Sequence, residues 1–354
     1  MKTLTKLVKR LAIAVGAVVV LAAVYLLVVA LAPGVVVPAQ PLVRPSTPRE
    51  QAAAAATTSR SDVTFEVNGT RVSAWLYLPD DMAVPVPCVV MGPGAGGTKH
   101  MALPAYASRF RDAGFAALVF DYRYWRDSGG EPRHLLWIRD QLADWAGAID
   151  YARSRKEIDP SRIVLWGTSF SGGHVLTTAA KDHRVAGVVA QVPFLDGLAA
   201  IELEREGDTL GLSLRSLMHA QRDLVRSWLH LSPHRIPIAG RSATIALMPS
   251  QQAYDFFAEH APAGFVNDVP ARILIRADKY RPVTQARYVR CPVLLQRADR
   301  DQFVPASAIE ETARILGEYA TVRRYPIDHF AIYTGNAFET SVADQLVFLR
   351  KCLG

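Results

Sequence analysis

Residues 162–173 read Arg-Ile-Val-Leu-Trp-Gly-Thr-Ser-Phe-Ser-Gly-Gly. The apolar run Ile-Val-Leu-Trp is typical of a strand buried on both faces. A cluster of small residues follows it, and a helix is predicted to begin at about Gly172. Ser169 therefore lies at a sharp bend between a strand and a helix. Such a bend brings its flanks close together, so the positions two before and two after it must be small, as Gly167 and Ser171 are.

This small-x-Ser-x-small pattern resembles the nucleophile elbow of the α/β-hydrolase superfamily, and the resemblance implies that Ser169 is a nucleophile. The family usually has glycine where this chain has Ser171. Ser171, flanked by Ser169 and Gly173, is the alternative nucleophile. Because the strand ends two residues before Ser169, its hydroxyl is expected at the edge of the sheet, which favours Ser169 over Ser171.

A second motif carries the same resemblance. Residues 121–132 read Asp-Tyr-Arg-Tyr-Trp-Arg-Asp-Ser-Gly-Gly-Glu-Pro. This run resembles the loop after strand four in dienelactone-hydrolase-like and Xaa-Pro-peptidase-like serine hydrolases, and we interpret it as mainly architectural. The resemblance covers about residues 62–354, and its motifs are specific for fold and reaction class but not for substrate.

A glycine-rich loop follows the strand predicted at residues 88–91. Residues 92–98 read Gly-Pro-Gly-Ala-Gly-Gly-Thr, which matches neither a dinucleotide-binding nor a nucleotide-binding loop. Acyl transfer places negative charge on the former carbonyl oxygen, and backbone N–H groups reach that oxygen where no side chain intervenes. Resemblance to the family's His-Gly-x-Gly-Gly loop implies that Ala95 and Phe170 supply the oxyanion-hole N–H groups. Pro93 stands where the family has histidine, a departure that concerns loop geometry and leaves backbone donation possible.

An acid and a histidine follow in the chain order that the superfamily uses. The acid of a triad holds the histidine in one tautomer and stabilises the imidazolium. Asp301 begins the run Asp-Gln-Phe-Val-Pro, and the resemblance to the family's Asp-x-x-Val-Pro pattern implies that it is the acid. Asp299 in the same loop and Asp196 after the sixth strand are alternatives. His329 follows the final predicted strand, which completes the order Ser169, Asp301, His329.

The remaining pattern favours an α/β-hydrolase fold, with a mostly parallel twisted sheet and helices on both faces. Asn68-Gly69, between two alternating runs, predicts an antiparallel hairpin at the start of the domain. The alternation of strands and helices stops at about Leu195 and resumes near Cys291. We therefore predict a mainly helical cap, inserted after strand six at about residues 195–288.

Two groups of apolar residues within this cap are candidates for contact with a substrate. One is the stripe of a predicted amphipathic helix, formed by Leu210, Leu214, Leu217, Leu224 and Trp228. The other is a patch formed by Tyr254, Phe256 and Phe257. A cap would use such residues to cover an acyl pocket. The alternative is that they pack the insertion onto the body of the domain.

The amino terminus indicates a membrane segment. Residues 1–10 form a basic segment, residues 11–32 are uncharged and long enough to cross a bilayer of about 30 Å, and residues 33–61 form a Pro- and Ala-rich linker. The basic start favours a single-pass anchor with its amino terminus in the cytoplasm and the hydrolase domain outside. A cleaved signal peptide and a secreted protein are the alternative. Pro33, directly after the candidate cleavage site, opposes cleavage.

Charge and cysteine content exclude several other classes of protein. The formal net charge is +7, but four basic side chains lie within residues 1–10, and the rest form no dense basic run. We therefore expect no nucleic-acid partner. Cys88, Cys291 and Cys352 are too few and too scattered for a disulfide framework or a metal site. No metal or organic cofactor is expected, and the oligomeric state stays open.

Together these patterns predict a membrane-anchored serine hydrolase that acts on a small-molecule acyl substrate. It would cleave a carboxylic ester or related acyl bond through an acyl-enzyme intermediate. The same triad could instead serve an acyltransferase or an amidase or peptidase. A catalytically silent hydrolase fold that acts as a binding module is the third possibility. The sequence leaves the acyl group and the leaving group open.

Overall fold

Eight strands form the central sheet of the computed structural model, which describes residues 2–31, 42, 60–80, 85–205 and 210–354. The strands are β1 (Arg60–Val67), β2 (Thr70–Tyr77), β3 (Val86–Gly92), β4 (Ala116–Phe120), β5 (Ile158–Thr168), β6 (Gly187–Gln191), β7 (Val293–Ala298) and β8 (Ala320–Tyr325). Their order is β1-β2-β4-β3-β5-β6-β7-β8. β2 pairs antiparallel with β1 and β4, and the other pairs are parallel. The predicted mostly parallel sheet is confirmed.

Helices cover both faces of this sheet. In the described part of the chain the helices are α1 (Lys2–Leu31), which precedes the sheet, and α2 (Leu103–Asp112), α3 (Ile138–Ser154), α4 (Phe170–Ala179), α5 (Gly197–Arg205), α6 (Leu210–Trp228), α7 (Gln251–His260), α8 (Ala306–Leu316) and α9 (Gly335–Leu353). Successive residues of β5 point to opposite faces, so Leu165 packs with α3, α4 and α8, while Val164 packs with α2 and α9. The apolar run of β5 therefore contributes side chains to the hydrophobic cores on both faces of the sheet.

The predicted hairpin is present at the start of the domain. Val67 pairs with Thr70, and the turn between them places both Asn68 (φ 50°) and Gly69 (φ 75°) in the left-handed region. A two-residue turn with positive φ at both positions matches the twist of the strands, which is why Asn-Gly predicts it well.

The insertion between β6 and β7 is mainly helical, as predicted. It contains α5, α6 and α7, and two small ladders join Arg235–Ile236 to Val269–Pro270 and Ala239–Gly240 to Met248–Pro249. Three short 3-10 helices complete the insertion, and they are Ala271–Ile275, Ala277–Lys279 and Pro282–Tyr288.

The predicted burial of the α6 stripe is wrong. Leu214, Leu217 and Trp228 are exposed, by 57%, 42% and 65%. α6 instead packs through its other side, where buried Asp223 forms an ion pair with Arg272 at 2.6 Å. The apolar stripe predicts the packed face, whereas the side of the helix that carries Asp223 is the buried one. The side chain of Leu210 lies outside the described residues.

The amino-terminal helix α1 begins at Lys2, so the predicted basic segment is helical and continuous with the apolar run. Within it, residues 4–28 are long and apolar enough to cross a membrane, and they are not buried against the rest of the chain. This helix is consistent with an anchor or with a signal sequence. Of the predicted linker, residues 33–41 and 43–59 lie outside the described residues, and β1 begins at Arg60.

Candidate active site

Ser169 occupies the turn between β5 and α4 with a backbone conformation that few residues other than glycine adopt, φ 55° and ψ −119°. Such strain persists only where the surroundings hold it. The Ser169 N–H donates to the Gln191 carbonyl at 2.8 Å, and its carbonyl accepts from the Phe194 N–H at 2.8 Å. A Cβ on Gly167 would lie 2.2 Å from the Ser171 carbonyl oxygen, so the turn requires glycine there. The predicted bend is therefore present, and α4 begins at residue 170 rather than near 172.

The three side chains singled out in the sequence meet at the carboxyl edge of the sheet. His329 Nε2 lies 3.1 Å from Ser169 Oγ, and His329 Nδ1 lies 2.7 Å from Asp301 Oδ2. With Nδ1 donating to the carboxylate, Nε2 is left to accept the serine hydroxyl. His329 is 1% exposed, whereas Ser169 is partly accessible. This arrangement can remove a proton from Ser169 and stabilise the charge that His329 acquires.

Asp301 is held in place by its own loop. Its Oδ1 accepts the N–H groups of Phe303 and Val304 at 2.8 and 2.9 Å, which leaves Oδ2 for His329. The carboxylate thus has a fixed direction and three donors. Its hydrogen bonds therefore fix which carboxylate oxygen faces His329.

The two alternative acids have other partners. Asp299 forms ion pairs with Arg297 and Arg324, both at 3.1 Å. Asp196 binds Arg281 through both carboxylate oxygens at 2.8 Å. Neither is hydrogen-bonded to His329, so both serve as structural ion pairs in this arrangement.

Ser171, the alternative nucleophile, is fully buried and already engaged. Trp145 Nε1–H donates to the Tyr122 hydroxyl at 2.7 Å, Tyr122 donates to Ser171, and Ser171 donates to the Pro93 carbonyl. The hydroxyl therefore ties the elbow to the glycine-rich loop. Sequence reasoning missed this relay, because Tyr122 and Trp145 are distant in the chain. The only local signal was serine in place of the usual glycine.

The glycine-rich loop packs directly against the elbow. A Cβ on Gly94 would lie 3.0 Å from Ser169 Cβ, and the Gly97 N–H closes a turn onto the Gly94 carbonyl at 3.1 Å. Among the described residues, the N–H groups of Ala95 and Phe170 have no hydrogen-bond partner. Phe170 opens α4, where N–H groups lack helical acceptors. Both N–H groups are thus available for an oxyanion, and their role stays a prediction.

Aromatic rings line the histidine side of the site. Phe303 and Phe330 pack edge-on against His329, with ring centres 5.3 and 4.9 Å away. Phe256 of α7 stacks on Phe330 at 4.8 Å. The insertion therefore reaches the catalytic edge through one member of the predicted patch. The other two members, Tyr254 and Phe257, are buried.

One group of side chains in the described part of the chain has the spacing of metal ligands, namely His100, Asp121 and Asp127. However, the Lys99 ammonium is fully buried beside it and binds Asp121 at 2.8 Å and Asp127 at 2.7 Å. Burial and the Lys99 charge lower the pKa of His100 to about 4. The group is better explained as an internal ion-pair cluster than as a metal centre.

Comparisons with known proteins fit this geometry. The model of the X-Pro dipeptidyl-peptidase (S15) family matches residues 68–210. The quorum-quenching protein AidA of Acinetobacter baumannii (strain MDR-ZJ06) is 42% identical over 292 residues, which cover 82% of this chain and 94% of that protein. The α/β hydrolase GrgF from Penicillium sp. sh18 has a similar structure, with a TM-score of 0.67 at 23% identity over 83% of this chain and 99% of that chain. The chain belongs to the α/β-hydrolase superfamily.

Two further comparisons, one of structure and one of sequence, give proteins with different names. DcsB, solved in complex with a substrate analogue, has a TM-score of 0.69 at 23% identity and covers 83% of this chain and 99% of its own. In sequence, the Penicillium sp. polyketide transferase grgF is 33% identical over 143 residues, 40% of this chain and 48% of that protein. Membership of this superfamily makes the chain an enzyme of the hydrolase type. Its relatives include a named transferase, so the superfamily alone does not choose between water and another acceptor.

Proposed function

We propose that the protein is a serine hydrolase that cleaves a carboxylic ester or a related acyl bond of a small molecule. The observation that carries the proposal is the hydrogen-bonded series Ser169, His329 and Asp301, with distances of 3.1 and 2.7 Å. A partly exposed serine beside a buried, oriented histidine is what acyl transfer requires. The alternatives Ser171, Asp299 and Asp196 are each held by other partners.

In the proposed mechanism, His329 Nε2 takes the proton of Ser169 as its oxygen attacks the substrate carbonyl. Asp301 stabilises the resulting imidazolium through Nδ1–H. The N–H groups of Ala95 and Phe170 bind the oxyanion, and His329 then protonates the leaving group. Water, deprotonated by the same histidine, releases the acid from the acyl-enzyme and restores Ser169.

We also propose that α1 anchors the hydrolase domain outside the cytoplasmic membrane. The basic residues at the start of α1 support this orientation. The name of the relative AidA suggests a role in quenching quorum signals, and a domain outside the membrane would meet such signals before they enter the cell. Alkylation of a cysteine placed in the domain, by a reagent that does not cross membranes, tests the orientation.

A serine-directed fluorophosphonate tests the nucleophile. Wild type and Ser171→Ala should be labelled, and Ser169→Ala should not. Ser171→Ala is the matched control because it removes the same atom two residues away, where the hydroxyl bonds to Tyr122 and to the Pro93 carbonyl and not to His329. Persistent labelling of Ser169→Ala would refute the assignment. If wild type hydrolysed none of a panel of p-nitrophenyl esters, the silent binding module would be the better interpretation.

Transfer of the acyl group to another acceptor is the second candidate function. The similarity to the polyketide transferase grgF favours it. The same acyl-enzyme would form, and an alcohol or amine would replace water in the second step. Product analysis with added alcohol or amine separates the two, because a transferase yields the new ester or amide in preference to the free acid.

A further inference from the structure

A cavity of about 150 Å³ lies where the glycine-rich loop, the loop after β4 and the insertion meet. Its polar wall consists of Thr98, Arg126, Arg133 and His134. Trp125 and the insertion residues 264–266 form the rest of the wall. The space is small and is lined by both cationic and apolar groups.

Two polar atoms in this wall are buried and lack a partner among the described residues. They are Thr98 Oγ1 and Arg126 Nε. Thr98 as a whole is 1% exposed. A buried donor without a partner costs about 1–3 kcal/mol, and more when it is charged. Such groups therefore call for a ligand, and both can donate a hydrogen bond to an acceptor in the cavity.

The acidic groups around the cavity are already engaged. Asp268 binds His134 at 2.6 Å and Arg235 at 2.9 Å, and Asp127 binds Lys99 at 2.7 Å. In the described part of the chain, Arg126 forms no ion pair. Its guanidinium therefore has no carboxylate in direct contact, and its charge acts on the neighbouring Asp127 only at longer range.

Arg133, the second arginine in the wall, is hydrogen-bonded to the backbone of its own loop. Its guanidinium donates to the backbone carbonyls of Ser128 at 2.7 Å and Arg126 at 2.6 Å, and no described carboxylate pairs with it. This bonding fixes the loop around the cavity. Tyr124, Arg126 and His134 all have positive φ, at 75°, 45° and 60°. Strain of this kind is typical of functional loops.

The glycine-rich loop connects Thr98, in the wall of the cavity, to Gly94, which packs against Ser169. Gly94 packs on Ser169, and the turn from Gly94 to Gly97 keeps their Cα atoms within about 7 Å. Thr98 follows directly, so its Cα lies within about 11 Å of that of Gly94. These bounds give the span that a substrate would have to bridge between the serine and Thr98.

We propose that this cavity is a carboxylate-binding subsite, which selects acyl substrates that carry a carboxylate on a short apolar spacer. Arg126 and Thr98 donate to the carboxylate, and Trp125 with the insertion residues packs the spacer. The substrate arm of this inference rests on the proposed function, whereas anion binding does not.

The first experiment compares two esters that differ only in charge, mono-p-nitrophenyl adipate and its methyl ester. Wild type should have the higher kcat/KM for the acid. Arg126→Gln should lower the ratio of the two values about tenfold or more, since a hydrogen bond to a charged group contributes about 1.5–3 kcal/mol. Thr98→Val should lower it less. Arg350→Gln is the control, because Arg350 is an exposed arginine in α9 and its loss should not alter the ratio.

The second experiment measures binding without turnover. Ser169→Ala is titrated with adipate and with inorganic phosphate by calorimetry, and adipate should bind more tightly because the spacer is packed. Adding Arg126→Gln should abolish that binding, and Arg126→Met, which is also neutral, replaces it if the glutamine variant does not fold. A ratio unchanged in Arg126→Gln, or phosphate binding as tightly as adipate, would overturn the substrate subsite. If no ester is hydrolysed, the proposed function fails, and the titration still decides the anion site.

Discussion

Replacing Asp301 with asparagine exchanges one carboxylate oxygen for an NH2 group and should reverse the tautomer of His329. Asp301 Oδ1 accepts the N–H groups of Phe303 and Val304, and only the oxygen of asparagine can keep those bonds. The amide NH2 group must then face His329 Nδ1. Because that group donates, Nδ1 becomes an acceptor and the ring proton moves to Nε2. A protonated Nε2 cannot take the proton of Ser169.

The size of the effect follows from this geometry. A histidine held in the wrong tautomer by the same substitution loses about 10⁴ in kcat, which corresponds to about 5 kcal/mol in the activation free energy. The fold should suffer little, because the two loop hydrogen bonds survive. We expect the free energy of unfolding to change by about 1 kcal/mol, the net contribution of one hydrogen bond.

The assay is hydrolysis of p-nitrophenyl acetate, together with urea unfolding of the same samples. Asp299→Asn is the matched control. It makes the same change two residues earlier, where the carboxylate pairs with partly exposed Arg297 and Arg324, so we expect activity within about twofold of wild type. The reasoning is refuted if Asp301→Asn keeps activity within about tenfold of wild type, or if Asp299→Asn is equally damaged.

Three further predictions concern packing and charge. Gly167→Ala should lower the free energy of unfolding by about 3 kcal/mol, because its Cβ would lie 2.2 Å from the Ser171 carbonyl; an unchanged urea midpoint would contradict this. Phe256→Ala removes the ring stacked on Phe330 and should lower kcat/KM about tenfold for long-chain p-nitrophenyl esters but not for acetate; equal losses would argue against a role in acyl binding. Burial lowers the pKa of His174 to about 3, so its stabilising contribution is present above about pH 6.5 and is lost as the pH falls. Between pH 7 and 5, wild type should therefore lose about 2 kcal/mol more than His174→Gln in urea unfolding, and parallel losses would contradict this.

The local sequence was sufficient for much of the fold. Buried runs such as the one before Ser169 predict strands, because a strand covered on both faces excludes polar residues. Asn68-Gly69 predicted its hairpin because few other dipeptides accept positive φ twice. The elbow was predictable for the same reason, since its small flanking residues are a local steric requirement. The insertion was located by a break in the alternation of strands and helices.

Local sequence patterns did not predict the tertiary contacts of individual side chains. The stripe on α6 showed that the helix has an apolar face, yet Leu214 and Trp228 are exposed. A helical period identifies a face but not what covers it. In this helix the buried face is the one that carries Asp223, which is paired with Arg272. The two residues of that pair are far apart in the chain, so no sequence window contains both.

The sequence by itself determined the sheet, the strained turn at Ser169 and a short set of candidates for the acid and the nucleophile. Only the tertiary structure shows which of these candidates lie within hydrogen-bond distance of His329. Asp301 differs from Asp299 in that its carboxylate faces His329, and Ser171 differs from Ser169 in that the Pro93 carbonyl already binds its hydroxyl. Backbone propensity acts over a few neighbouring residues, whereas hydrogen-bond partners are set by how distant segments pack against each other.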